Sequence, residues 1–300
     1  MNAQGIAPSL YGLVLGLTLG WGLNWPIMKL VLDRMPVWSF RAVSVLLGAV
    51  GLIVVARAAG HRLWPLRSEW PALWWTALFN VTLWNLLIGF GLTLVPAGRA
   101  AILAYTMPIW TLLLSAVFLG ESLNRRRMLG LVFAALALYL LLREDIAALQ
   151  AAPMGSLLVI GGALAWAIGT ILIKRMPIGM PLTSFTAWQF ILGDVPLIIG
   201  AVVTDSGQWR ALDAVGIGAV LYNTVVAFVF CHWAWFRIVQ QAPAGIASLS
   251  TMLIPVLGVL SSMVALGDRP GPAELTALAL VVAALATVLS RPGAISAARD

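Results

Sequence analysis

Pro96-Ala97-Gly98, Pro108 and Leu119-Gly120-Glu121 return 147 positions later as Pro243-Ala244-Gly245, Pro255 and Leu266-Gly267-Asp268. A second set returns at an offset of 145. Trp21 and Lys29 match Trp166 and Lys174, and Ser39-Phe40-x-Ala42 with Leu47-Gly48 matches Ser184-Phe185-x-Ala187 with Leu192-Gly193. The chain is one unit written twice, so each copy must build the same elements and the two must pack about an axis. In a membrane, that pattern points to a transporter, because alternating access is readily built from two related halves around a central site.

Hydrophobic residues make up 61% of the chain and charged residues 10%, which places it among integral membrane proteins. A span needs roughly 20 mostly apolar residues. The apolar runs predict ten: about 12–32, 37–56, 71–93, 98–119, 128–142, 155–174, 183–203, 214–236, 244–266 and 273–290. Helices are expected, since each satisfies its own backbone in lipid, whereas a β-barrel would show short alternating strands. The first run reads as a span and not as a cleaved leader, because no Lys or Arg precedes Lys29 and the run carries Trp21 of the repeat. Connections are too short for a soluble domain, so the expectation is one membrane domain with repeats at 1–147 and 148–300, divided near 144–153.

The net charge is +7. With the N-terminus inside, Arg57, Arg62, Arg67, Arg125, Arg126, Arg127, Lys174, Arg175, Arg237, Arg291 and Arg299 fall on the cytoplasmic side. Lys29, Arg34, Arg41, Arg99, Arg143, Arg210 and Arg269 fall on the outer side. The bias favours cytoplasmic termini at both ends. Spread along short connections, these cations make no nucleic-acid face. Cys231 stands alone and reads as a packing residue.

Five spans per copy is an odd number, so the second copy enters from the opposite side and the repeats are inverted. Glu121 then ends span 4 on one side, and Asp268 ends span 9 on the other. Ten spans in two halves, with a proline-centred fourth helix in Tyr105-Thr106-Met107-Pro108, Phe118-Leu119-Gly120-Glu121 and a following Gly130, resemble the drug/metabolite transporter superfamily, EamA type. The resemblance covers nearly the whole chain. It implies an all-α fold of two inverted five-helix repeats around a cavity, and a secondary carrier of the bacterial inner membrane. The aromatic content is similar to that of bacterial aromatic amino acid exporters, which implies export of small amphipathic metabolites, with other metabolite and drug carriers of the superfamily as the alternative.

Several residues suit such a cavity. Trp21, Asn24, Trp25 and Met28 share one face of span 1, and Trp166, Gly169, Thr170 and Ile173 repeat that spacing in span 6. Facing indoles with polar partners are one reading; interfacial tryptophans are the other. Thr76, Asn80 and Trp84 share a face of span 3, where Asn80 either lines a wet cavity or bonds a neighbouring helix. Tyr105 follows the small residues Gly98 and Ala101, and its counterpart is Met252. Pro108 and Pro255 each free a carbonyl, those of Ala104 and Thr251, and are candidate hinges. Gln189 in span 7 can donate and accept. His232 is a cavity residue or a satisfied interhelical histidine. Asp194 is the one carboxylate placed within a span, either as a coupling site or locally solvated.

Trp70, Trp74 and Trp75 read as an interfacial belt. Lys29 and Lys174 read as snorkelling anchors, and Glu121 and Asp268 as caps of the next helix. No Walker, HExxH or GxSxG motif is present, and His61 and His232 are the two histidines. No enzyme, cofactor or metal site is expected. A scaffold would have no need of inverted repeats with paired prolines. The expected partners are a small-molecule substrate and the lipid bilayer, with a monomer as the unit.

Overall fold

A computed structural model describes residues 8–121, 123–147, 152–176, 178–208, 211–241 and 244–289. These residues are helical throughout, without strands among them. The helices are α1 (Pro8–Leu32), α2 (Val37–Ala58), α3 (70–94), α4 (Ala97–Leu119), α5 (Arg125–Ala147), α6 (Ala152–Arg175), α7 (Leu182–Thr204), α8 (214–241), α9 (Ala244–Leu266) and α10 (Pro272–Leu289). Among the described residues, Val37–Ala58, Arg67–Leu94, Ala97–Leu119, Pro153–Arg175, Leu182–Thr204 and Ala214–Trp235 are six stretches long and apolar enough to cross a membrane. Leu253–Leu266 and Pro272–Thr287 are shorter apolar helices. Their outer surfaces are apolar: Val54, Val117, Val203 and Val264 are each more than half exposed, as lipid contact requires. Arg210, Pro243, Arg291 and Arg299, the side chains of Thr251 and Met252, and part of the division near 144–153 lie outside the described residues.

Two helices share a widened turn. Leu78–Leu83 in α3 and Tyr222–Phe230 in α8 are π-helical, an irregularity that shifts which residues share a face. The repeated glycines have a backbone reason. Gly120 (φ 67°) and Gly267 (φ 72°) end α4 and α9 in the left-handed conformation, which costs glycine least. In both places the next residue's amide donates six positions back, Glu121 to the Ser115 carbonyl and Asp268 to that of Ser262.

Packing follows the repeat. α1 lies against α9 and α8; correspondingly α6 lies against α4 and α3. α2 packs along α7, and α5 along α10. Call the end where α1 starts the lower end. There the α2–α3 connection folds across α7: Trp188 Nε1 donates to the Leu63 carbonyl at 2.7 Å, and Trp64 and Trp70 pack on the Trp188 ring. Trp74 and Trp75 are half exposed, as a belt requires, but Trp70 belongs to this internal cluster.

Buried carboxylates tie the two copies together at both ends. At the upper end Asp205 accepts from the Ser39 amide (2.9 Å) and hydroxyl (2.8 Å), so the end of α7 caps the start of α2. At the lower end Glu69 accepts from Gly179 N (3.0 Å), Leu66 N (2.7 Å) and Arg62 (2.8 Å). Exposed pairs repeat the scheme, with Arg34–Asp213 (3.1 Å) above and Lys174–Glu121 (3.2 Å) below.

Four polar side chains therefore differ from the sequence reading. Lys29 Nζ donates to the Leu92 carbonyl at 2.6 Å, and to those of Thr93 and Val95, closing the end of α3 where a snorkelling anchor was expected. Lys174 pairs with Glu121, which also meets Arg127 at 3.6 Å. The amide of Arg127 is taken by Asn124 Oδ1, so Asn124 caps α5 in place of Glu121. Arg41, counted among the outer cations, is 2% exposed and lies inside the bundle.

Candidate functional site

The aromatic and amide residues gather in two clusters, each bridging the copies. In the first, Trp84 of α3 lies on Trp166 of α6 with ring centroids 5.0 Å apart, and Asn80 Nδ2 donates to the Trp166 carbonyl at 3.1 Å. The same carbonyl accepts from Thr170 Oγ1 within α6. This approach needs glycine at position 169, where a Cβ would stand 2.0 Å from Asn80 Oδ1. Thr76 turns back to the Ala72 carbonyl, and the π-turn separates its face from that of Trp84.

In the second cluster, Trp21 of α1 donates from Nε1 to the Ala227 carbonyl at 3.1 Å and meets His232 edge-on at 5.5 Å. His232 Nδ1 also lies 3.1 Å from that carbonyl, its ring stacking on Phe228 and meeting Phe190 at 5.2 Å. One turn along α1, Asn24 Oδ1 accepts from Asn223 Nδ2 at 2.9 Å. The two clusters are counterparts: an asparagine in the π-turn of α3 bonds α6, and an asparagine in the π-turn of α8 bonds α1.

Asn223 was not singled out from the sequence. Its signal is an aromatic followed by Asn, Phe79-Asn80 and Tyr222-Asn223, but the pair is offset by 143 positions and so falls out of register with the motifs around it.

No hydrogen bond or ring contact among the described residues joins Tyr105, Gln189 or Asp194 to these clusters, although Trp21 and Trp84 pack against the core that holds Tyr105. Tyr105 is buried in the main core beside α9. It ends the helix Ala97–Ala104, and a turn at Tyr105–Thr106 precedes Met107–Leu119, so α4 breaks just ahead of Pro108. Pro255, by contrast, lies within a continuous α9. Gln189 is buried with Nε2 unpartnered. Asp194 is 1% exposed, and neither carboxylate oxygen has a hydrogen-bond partner. A cavity of ≈ 180 Å³ at the lower end is lined by Val55, His61, Pro181, Thr183, Trp233 and Arg237.

The model of the EamA-like transporter family matches the chain twice, over residues 9–143 and again over 153–290. The chain belongs to the EamA-like transporter family. It is 28% identical to the uncharacterized transporter YvbV of Bacillus subtilis (strain 168), over 94% of this chain and 92% of that protein. It is 24% identical to a probable amino-acid metabolite efflux pump of Salmonella typhimurium, over 88% and 89% of the two chains, and 23% identical to the protein of that description from Escherichia coli (strain K12), over 83% and 84%. One solved crystal structure superposes with a TM-score of 0.67 at 20% identity, covering 93% of this chain and 96% of that one, a likeness of fold. The EamA-like chain is a membrane transporter and not an enzyme.

Proposed function

We propose that this transporter exports small amphipathic metabolites, amino acids including aromatic ones foremost, across the bacterial inner membrane by alternating access. The observation that carries the reading is the pair of counterpart clusters. Indole faces and neutral amides, suited to a partly aromatic substrate, sit where the copies meet. Trp21, Asn24, Asn80, Trp84, Tyr105, Trp166, Gln189 and His232 are its binding residues. All ten helices span the bilayer as two inverted five-helix repeats, 1–147 and 148–300, with both termini cytoplasmic, so that the lower end faces the cytoplasm. The exchange of helix contacts between copies and the double family match support that arrangement. The substrate class is supported by the relatives described as amino-acid metabolite efflux pumps.

Rocking of one copy against the other, with α4 flexing at its break before Pro108 and α9 at Pro255, exposes the site to each side in turn. The test is counterflow of radiolabelled phenylalanine and tryptophan in proteoliposomes. Uptake above protein-free vesicles, competed by other aromatic amino acids, is the expected result; none for any amino acid sinks the substrate assignment.

One observation favours a coupled variant. Both oxygens of Asp194 are buried without partners, an arrangement that a bound proton or cation would satisfy. Asp194 is the residue through which a proton gradient would act.

A further inference from the structure

Arg41 sits one turn into α2, 2% exposed. Its Nη1 and Nη2 donate to the Met28 sulfur at 3.3 and 3.4 Å, and the guanidinium carbon lies 4.7 Å from the Phe40 ring centroid. Nε has no partner, and no carboxylate of the described residues pairs with it. A guanidinium carries five N–H donors and stays charged, whereas a thioether is a weak acceptor. Burying such a charge is costly unless an anion meets it. Nearby charges at the upper end have strong partners: Lys29 has three carbonyls, Asp205 has Ser39, and Arg99 has Glu274.

Gly89 of α3 packs closely on Arg41: a Cβ there would stand 3.2 Å from Arg41 Nε and 2.6 Å from Val37 Cγ1. Asn85, one turn before Gly89, has an unpartnered buried Oδ1, as does Asn223, which is tied to Asn24 one turn before Met28. One cation and one free amide oxygen, those of Arg41 and Asn223, thus meet the face of α1 that carries Trp21 and Asn24, through Met28 and Asn24. The repeat makes the cation one-sided, because the counterpart of Arg41 is Thr186.

We infer that Arg41 is the carboxylate-recognition residue of the transport site, taking the carboxylate of an amino acid or other small organic acid in place of its contact with Met28. A guanidinium presents a fork that matches a carboxylate, and a single anchor in a two-fold scaffold fixes which way round the substrate lies. The inference rests on the reading of a small amphipathic metabolite as substrate, and names the group by which it is held.

The test is a thermal-shift series on the purified full-length protein with phenylalanine, 3-phenylpropionate, phenylalaninamide and inorganic phosphate. The two carboxylates should stabilise the wild type, and the amide and phosphate should not. Arg41→Gln should raise the half-saturating phenylalanine concentration by at least about tenfold and erase the preference for acid over amide, and Arg41→Lys should retain part of it. Equal stabilisation by acid and amide, a response to phosphate without one to the carboxylates, no response to either carboxylate, or an unchanged preference in Arg41→Gln overturns the assignment. Should Arg41→Gln fail to fold, the wild-type acid-against-amide comparison and Arg41→Lys decide it. Phenylalanine flux in vesicles separates the two readings. Flux with Arg41-independent binding sinks the carboxylate site alone, and Arg41-dependent binding without flux sinks the transport reading alone.

Discussion

At the scale of single residues, close approach decides what can be changed. Any side chain at position 169 would displace Asn80, so Gly169→Val should cost about 1–3 kcal/mol as an overpacked contact. It should also part Trp84 from Trp166. Thermal unfolding and counterflow on the same preparation would show both losses together. Tyr105 is a different case. From the sequence it looks like a cavity wall whose truncation to alanine spares the fold, but at 6% exposure within the main core that truncation should cost on the order of 3 kcal/mol. Tyr105→Phe keeps the volume, and lowered transport with unchanged unfolding temperature is the expected outcome. Asp194→Asn should leave counterflow largely intact. If Asp194 is the coupling residue, that variant should lose pH-driven uptake; retention of pH-driven uptake would remove Asp194 from the mechanism. Side chains were also where the sequence was least legible. Asn80 and Trp166 could be chosen because polar or repeated residues stand out in apolar runs. Arg41 was counted among the outer-side cations because charge alone does not tell a buried guanidinium from an exposed one.

At the scale of helices, the apolar runs placed each helix near its observed position, because a span's length is set by the bilayer and not by detailed packing. The π-turns escaped notice, since a single wide turn leaves hydrophobic composition unchanged while rotating everything beyond it. That rotation is why Thr76 does not join Asn80 and Trp84. The two prolines are alike in sequence and unlike in structure. Pro108 follows a real break in α4, and Pro255 sits in an unbroken α9. Pro108→Ala should let the amide at 108 reach the Ala104 carbonyl and stiffen α4. Transport should then fall more in Pro108→Ala than in Pro255→Ala, measured as initial rates at equal reconstituted protein.

Across the whole molecule, the copies are joined by polar ties at both ends, and in the proposed alternating access opening one end breaks that end's set. Glu69→Gln leaves the Gly179 and Leu66 amides with a weaker acceptor. It should loosen the lower end, raising the labelling rate of a cysteine reporter introduced as Thr183→Cys beside the lower cavity; the buried native Cys231 gives little background. The exposed Arg34–Asp213 tie should not act as a pH switch. The Gly216 amide, and then the Arg34 guanidinium, hold the Asp213 carboxyl below its ordinary range. A carboxyl lowered in this way stabilises the fold fully above its unfolded pKa of ~3.9, and the contribution is lost only as pH falls through the lower folded value. Stability of wild type and Asp213→Asn should therefore differ by a constant amount between about pH 5 and pH 8.

The ties at Asp205 and Glu69 are the same device facing opposite ways, yet they are not the same residues. Asp205 holds one amide and two hydroxyls, and Glu69 holds two amides and an arginine. Two separate identical subunits would be obliged to close both faces with equal force, since any change in one would appear in the other. Joining the copies in one polypeptide lifts that obligation. The strength of each closure becomes an independent inheritance, and with it, under the proposed alternating access, the share of time the carrier rests toward either side. Directionality can then evolve one latch at a time, without touching the residues that hold the cargo.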